Sequence, residues 1–162
     1  MSSQKGFTVI ELMISLGILA ILATIAVPSF QSVIERNRVT AQANSILSAV
    51  QSARSEAVKR GTVVRFSAQL VGGNPDITAG WCVHTGADCD TGTVIREGDT
   101  NAGVVYGGAT SVGFDGRGQN VTFADVTFTL QPPDCAATTP NRQRIVLVGL
   151  SGRAQVNRGD CT

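Results

Sequence analysis

The sequence predicts an α+β fold in which one long N-terminal helix packs on a small antiparallel β domain. Two observations predict it: an apolar, helix-compatible pattern fills the first third of the chain, and glycines interleaved with Val, Thr and Phe fill the rest. The length of 162 residues suits one domain with an appendage. A net charge of +1 excludes a strongly basic nucleic-acid-binding protein, so any charged partner must be met by a local patch.

The first element is an apolar segment of about 20 residues, from Phe7 to Val27, whose one charge is Glu11. A helix of this length spans a bilayer, and Lys5 before it favours a cytoplasmic N-terminus. An unpaired carboxylate there costs on the order of 2.5 to 3.5 kcal/mol, so Glu11 needs an explanation. A cleaved secretory signal ending near "ILATIAVPS" is the alternative, and the helical pattern that continues past Pro28 disfavours it.

The second half of the helix is amphipathic and follows a bend expected at Pro28. Apolar residues recur there at steps of three and four: Val39, Ala43, Ile46, Leu47, Val50, Ala53, Ala57 and Val58. Arg60 suits the negative pole of a helix and Gly61 suits its C-cap. One helix from Phe7 to Arg60 would be roughly 80 Å long, so we expect its first half in apolar surroundings and its second half on the domain.

Short strands joined by turns should follow the helix. The predicted strands are Thr62–Gln69, Gly80–Thr85, Thr93–Glu97, Ser111–Phe114, Asn120–Ala124, Val126–Leu130, Arg144–Leu150 and Arg153–Asn157. The dipeptides Asp115-Gly116 and Ser151-Gly152 are hairpin signals. The proline-rich segment 131–143 should be a loop.

All four cysteines lie in this second part, which indicates two disulfides in an oxidising compartment. Three pairings are open for four cysteines. We favour Cys82 with Cys89, which closes a short loop, and Cys135 with Cys161, which ties down the C-terminal tail. A zinc site is disfavoured, because there is no CxxC pair and His84 is the single histidine.

Catalytic chemistry has no support in the sequence, so we predict no enzyme activity, no cofactor and no metal. The segment "GLSGR" is not a GxSxG elbow, and the glycines of "YGGATSVGFDGRG" lack the lysine of a phosphate loop. A calcium site would need carboxylates at the spacing of a calcium-binding loop. The loop carboxylates do not have that spacing; they are Asp88, Asp90, Glu97 and Asp99.

The stretch "KGFTVIELMISL" resembles the N-terminus of type IV prepilins and pseudopilins, in which a short basic leader ends in Gly before a Phe, with Glu four residues later. The resemblance implies cleavage by a prepilin peptidase between Gly6 and Phe7 and N-methylation of the new Phe7 amine. In a filament, the Glu11 carboxylate would then pair with that amine on a neighbouring subunit. It also implies a pilin fold divided into a leader (1–6), a transmembrane and filament-core half-helix (7–28), an amphipathic half-helix (29–61) and a β domain (62–162).

Three further segments are similar to the FimT, FimU and GspH group of minor pilins and pseudopilins: "ARSEAVKRG", "VGFDGRGQ" and "RIVLVGLSGRAQV". The implied function is that of a minor type IV pilin in a pilus initiation or tip complex, serving adhesion, twitching motility or DNA uptake. Its partners would be other major and minor pilins, the prepilin peptidase and the bacterial inner membrane before assembly into a periplasmic and cell-surface pilus. The H-type pseudopilin of type II secretion is the alternative.

DNA capture is a second alternative, because members of this group that bind DNA carry a C-terminal Gly-Arg-x-Arg motif. This chain has Gly152 and Arg153 but Gln155 in place of the second arginine. A weak, non-specific site for double-stranded DNA would have to be assembled from nearby arginines. The candidates are Arg117, Arg142, Arg144, Arg153 and Arg158.

Overall fold

The computed structural model describes residues 6–162, apart from the side chains of residues 25–29. The elements are α1 (Val9–Arg60), β1 (Val64–Val71), β2 (Asn74–Thr85), β3 (Thr93–Gly98), β4 (Val105–Gly108), β5 (Ser111–Phe114), β6 (Val126–Gln131), β7 (Gln143–Val148) and β8 (Ala154–Gly159). The predicted α+β fold is confirmed. The chain divides within α1 into two compact units: the first ends at Glu35 and the second begins at Arg36.

Helix α1 begins after Thr8, two residues later than predicted. The Thr8 hydroxyl accepts a hydrogen bond from the backbone N–H of Glu11 at 3.3 Å, which satisfies one of the free donors at the helix N-terminus. Thr8 and Glu11 have the spacing of a capping box, in which an acidic residue also favours the positive pole of the helix. This local role of Glu11 was not predicted from the sequence.

The helix ends where the sequence predicts. Gly61 follows with a φ of 63°, the left-handed conformation that glycine adopts most readily. In the last turn, Lys59 and Arg60 both contact the Glu56 carboxylate, at 3.1 and 3.0 Å. The hydrogen bonds from Arg60 and then Lys59 lower the pKa of the Glu56 carboxyl group.

The β domain is built from two four-stranded antiparallel sheets. The first has the order β3-β2-β1-β5 and the second has the order β4-β6-β7-β8. Seven of these strands overlap predicted ones, and the predicted β7–β8 hairpin forms at Ser151-Gly152. Strand β4 was missed, because "VYGG" has two strand-weakening glycines and is held only by its pairing with the distant strand β6.

The prediction of a strand over Asn120–Ala124 was wrong. Only a single bridge joins Asn120 to Phe114, and Phe123 has a φ of 57°, which a strand cannot accommodate. The Asn120 side chain explains the turn, since it donates to the carbonyl of Ala124 at 2.9 Å and accepts from the N–H of Thr122 at 2.9 Å. These side-chain bonds compete with a sheet ladder.

The core lies between the second half of α1 and the two sheets. The apolar stripe predicted on the helix is buried, except that Leu47 is half-buried and Val58 is exposed. Ala49, which was not predicted, is also buried in this core. Phe66 on β1 links the layers, with its ring centroid 5.7 Å from Trp81 in the first sheet and 5.3 Å from Phe128 in the second.

Candidate functional site

The N-terminal end of α1 presents an exposed apolar surface with one carboxylate. Phe7 is 83% exposed and Glu11, one helical turn later, is also exposed. The large apolar residues that follow are exposed on every side of the helix: Val9, Ile10, Leu12, Met13, Ile14, Leu16, Ile18, Leu19, Ile21 and Leu22. A helix that is apolar all round requires a surrounding apolar phase or neighbouring helices.

Neither the bend predicted at Pro28 nor the predicted membrane span is confirmed by the described residues. Pro28, the predicted bend, lies among the residues whose side chains fall outside the described part of the chain. Judged by hydropathy, none of the helices among the described residues is apolar over a long enough stretch to cross a membrane.

Arg144 and Arg158 form a like-charged pair on the second sheet. They are directly opposite in the β7–β8 ladder, an arrangement that destabilises a sheet. Arg144 is half-buried and donates to the carbonyls of Asn141 and Gln143, at 3.0 and 2.9 Å. Burial, and then the nearby charges of Arg158 and Arg36, lower the pKa of the Arg144 guanidinium group. The sequence did not predict that the charge of Arg36, on α1, acts on Arg144.

The other candidate arginines lie elsewhere, so the structure does not gather all five into one patch. Arg142 forms an ion pair with Asp134 at 3.0 Å. Arg153 is exposed in the β7–β8 turn, five residues from Arg158 and therefore about 16 Å away along the strand. Arg117 is exposed in the turn after β5.

A single arginine of α1 connects the three segments that are similar to the FimT, FimU and GspH group. Arg54 donates from Nε to the carbonyl of Gly118 at 2.9 Å and from Nη2 to the carbonyl of Ser151 at 3.1 Å. It thereby joins the helix end to the turns after β5 and β7. An open groove of about 390 Å³ lies beside this contact, lined by Gln51, Arg54, Ser55, Gly152, Arg153 and Ala154.

The structure has two disulfides, between the same pairs that the sequence predicts. Cys82 and Cys89 have Cα atoms 6.0 Å apart, and Cys135 and Cys161 have Cα atoms 5.7 Å apart. The second bond secures the tail to the proline-rich loop, where the Thr138 N–H also donates to the Cys161 carbonyl at 2.9 Å. The first bond lies against His84, a fully buried side chain whose pKa is lowered chiefly by burial and then by the charge of Arg65.

Comparison with known proteins finds one family profile that matches the N-terminal helix and another that matches most of the rest of the chain. The prokaryotic N-terminal methylation motif matches residues 1–27. A methylation-type N-terminal helix that continues into an antiparallel β domain defines the pilin-like class of proteins. The profile of the family described as type II transport protein GspH matches residues 42–152, more than half of the chain. The protein therefore belongs to the GspH family of minor pilins and pseudopilins.

Curated relatives match less than half of this chain. A fimbrial protein of Pseudomonas aeruginosa is 46% identical over 68 residues, which cover 42% of this chain and 44% of that protein. A fimbrial protein of Moraxella nonliquefaciens is 55% identical over 40 residues, covering 25% of this chain and 26% of the relative. The chain thus spans less than half of the length of these relatives.

Two solved structures share the fold. The type IV minor pilin FimU of Pseudomonas aeruginosa has a TM-score of 0.60 at 21% identity, covering 76% of this chain and 90% of that one. The minor pseudopilin EpsH from the type 2 secretion system of Vibrio cholerae has a TM-score of 0.54 at 13% identity, covering 75% and 97%. At such identities the likeness establishes the pilin fold alone.

Proposed function

We propose that the protein is a minor type IV pilin that enters the pilus initiation or tip complex through its N-terminal helix. The observation that carries the proposal is the exposed apolar helix surface around Glu11, directly after a matched methylation motif. Such a surface is stable in only two settings, a lipid bilayer or a bundle of neighbouring helices, because exposed apolar area is unfavourable in water. A pilin occupies these two settings in turn.

Processing connects the two settings. Cleavage between Gly6 and Phe7 in the inner membrane creates an α-amino group one helical turn before Glu11. In a filament, that methylated amine on one subunit pairs with the Glu11 carboxylate on the next, so that two buried charges compensate each other. Other major and minor pilins are the partners, and the prepilin peptidase acts on the chain before assembly.

Replacing Gly6 by leucine should leave the chain uncut, because a branched side chain occupies the scissile position. Replacing Glu11 by alanine should leave cleavage intact but reduce the protein in sheared surface pili at least about tenfold, since each 1.4 kcal/mol of lost pairing is tenfold. Mass spectrometry of the N-terminus and immunoblots of sheared pili measure the two effects. Glu97→Ala removes an exposed carboxylate of the β domain and is the matched control. Wild-type incorporation of Glu11→Ala would contradict the proposal.

Type II secretion is the alternative system, supported by the GspH profile and by the fold shared with the pseudopilin EpsH. A strain lacking this chain distinguishes the two. Loss of surface pili with normal secretion supports the pilus, whereas the opposite pattern supports the pseudopilus.

DNA capture is a second candidate function, favoured by the opposed arginines Arg144 and Arg158. Their repulsion and the partial burial of Arg144 are costs that a bound phosphate would relieve. The positive charge of Arg36 also acts on Arg144. So small a cluster neutralises few phosphates and supports only weak, salt-dependent binding without sequence preference.

A double variant, Arg144→Ser with Arg158→Ser, should weaken binding of duplex DNA about tenfold and lower the salt slope by about two, one unit for each lost phosphate contact. Fluorescence anisotropy at several salt concentrations measures both quantities. The double variant Lys59→Ser with Arg60→Ser removes the same charge from the helix end and should bind like the wild type. An absence of binding by the wild type at low salt would exclude DNA capture.

A further inference from the structure

Strand β8 is a regular edge of the second sheet, and no described segment pairs with its outer side. It pairs with β7 over all six of its residues without a shift of register. The other edge strands are less open: the N–H of Val121 donates to the carbonyl of Gly113 in β5 at 3.0 Å, β4 has only four residues, and β3 has an irregular ladder with β2. A regular open edge can accept an added strand.

The register of the β7–β8 hairpin shows which backbone groups face this open edge. The N–H of Gly149 donates to the carbonyl of Arg153 at 3.0 Å, which makes these two residues the first hydrogen-bonded pair. Hydrogen-bonded and non-hydrogen-bonded pairs alternate along an antiparallel ladder, so every second residue after Arg153 bonds to β7. The N–H and C=O groups of Ala154, Val156 and Arg158 therefore point away from β7. None of these groups has a partner elsewhere in the described part of the chain.

The side chains at these three positions give the edge its chemical character. Ala154 and Val156 pack against the core but stay half-buried, so an added strand would complete their burial. The open groove of about 390 Å³ between α1 and the start of β8 leaves room for an extended chain beside them. Arg158, near the far end, is exposed, lies opposite Arg144 and has no ion pair with any described residue.

Charge decides which strand fits this edge. A second copy of β8 would bring another Arg158 to an edge that is already cationic, and like charges on neighbouring strands are destabilising. An acidic side chain opposite Arg158 would instead compensate its repulsion with Arg144. We propose that β8 accepts an extended acidic segment of a neighbouring pilin, in the antiparallel sense of the other pairs of this sheet. That the partner is a pilin rests on the proposed function, whereas the addition of an acidic strand does not.

The alternation of side chains along a strand specifies the segment. Its residues opposite Ala154 and Val156 are apolar, and its residue opposite Arg158 is Asp or Glu. The residues between them lie on the face that carries the exposed side chains of Gln155 and Asn157, so they are polar. In an antiparallel pair the acidic residue comes first, and Glu-Thr-Val-Thr-Val is therefore the shortest complementary peptide.

The test uses the full chain in detergent micelles and the acetylated, fluorescein-labelled peptide Glu-Thr-Val-Thr-Val, followed by fluorescence anisotropy. The wild type should bind it at least about tenfold more tightly than Lys-Thr-Val-Thr-Val, because only the acidic peptide compensates Arg158. Arg158→Glu should reverse this preference. N-methylation of the Glu and Val amides of the peptide should abolish binding, whereas N-methylation of the Thr amides should not, since only the former face β8.

Two variants of β8 separate strand addition from charge attraction. Val156→Pro removes an N–H that faces the open edge and none that bonds to β7, so it should keep the fold and abolish binding. Val156→Ala retains that N–H and is the matched control, which should retain most of the binding. If Val156→Pro unfolds the chain, the N-methylated peptides make the same distinction.

Three results would overturn the proposal. They are equal binding of the acidic and basic peptides by the wild type, unchanged binding by a folded Val156→Pro variant, and equal effects of the two N-methylation patterns. Binding of duplex DNA but of neither peptide would assign Arg158 to DNA and would overturn it too. None of these measurements depends on pilus assembly, so a failure here is distinguishable from a failure of the proposed function.

Discussion

Replacing Phe66 by alanine should lower the free energy of unfolding by about 3 to 5 kcal/mol, the usual range for a buried phenylalanine in a close-packed core. Phe66 is fully buried and contacts aromatic rings of both sheets, Trp81 at 5.7 Å and Phe128 at 5.3 Å between centroids. Its removal leaves a cavity at the junction of the layers and also removes two favourable ring contacts.

Urea denaturation followed by fluorescence measures this effect, because Trp81 is the single tryptophan of the chain and lies beside the cavity. The control is Phe123→Ala, the same substitution at a side chain that is 89% exposed, which should change stability by no more than about 0.5 kcal/mol. A similar loss in both variants would show that Phe66 does not hold the layers together.

Replacing Gly152 by alanine should lower the free energy of unfolding by about 3 kcal/mol, for two separate reasons. Gly152 has a φ of 75°, in the left-handed region, where a residue with a Cβ is strained by about 1 to 3 kcal/mol. A Cβ there would also overlap the carbonyl oxygen of Gly118 and come within 2.9 Å of Arg54 Nε. The overlap pushes apart the two turns that Arg54 joins, and overpacking of this kind costs about 1 to 3 kcal/mol.

The variant Gly72→Ala separates the backbone strain from the overlap of the added Cβ with its neighbours. Gly72 has a φ of 58° but open space where a Cβ would lie, so alanine there should show the backbone strain alone, about 1 kcal/mol. The same denaturation measurement compares the two variants. Equal losses would mean that the contact between the Gly118 and Gly152 turns contributes nothing to stability.

Local signals predicted much of this protein. The apolar stripe, the C-cap at Gly61 and the β7–β8 turn follow from periodicity and from the conformational freedom of glycine, which act within a few residues. The strand prediction at Asn120–Ala124 failed because side-chain hydrogen bonds of Asn120 to its neighbours stabilise a turn. Strand β4 was missed because its own residues disfavour a strand and its partner β6 begins 18 residues after β4 ends.

The candidate sites also include some that local sequence signals predict and some that they do not. The proposed cleavage position and the proposed role of Glu11 follow from the sequence, because both belong to one short linear motif. The opposed pair of Arg144 and Arg158 could not be predicted, since strand register alone sets them opposite each other, and the effect of Arg36 could not be predicted because it comes from α1.

The sequence by itself determined the long helix, the class of β domain that follows and the motif that assigns the chain to pilin-like proteins. Only the tertiary structure decided that Arg54 joins the turns at Gly118 and Ser151, and that a buried histidine lies against two cysteines. The reason is physical. Helix periods, caps and turns depend on neighbouring residues, whereas these contacts depend on the packing of α1 on two sheets, which brings together residues distant in the chain.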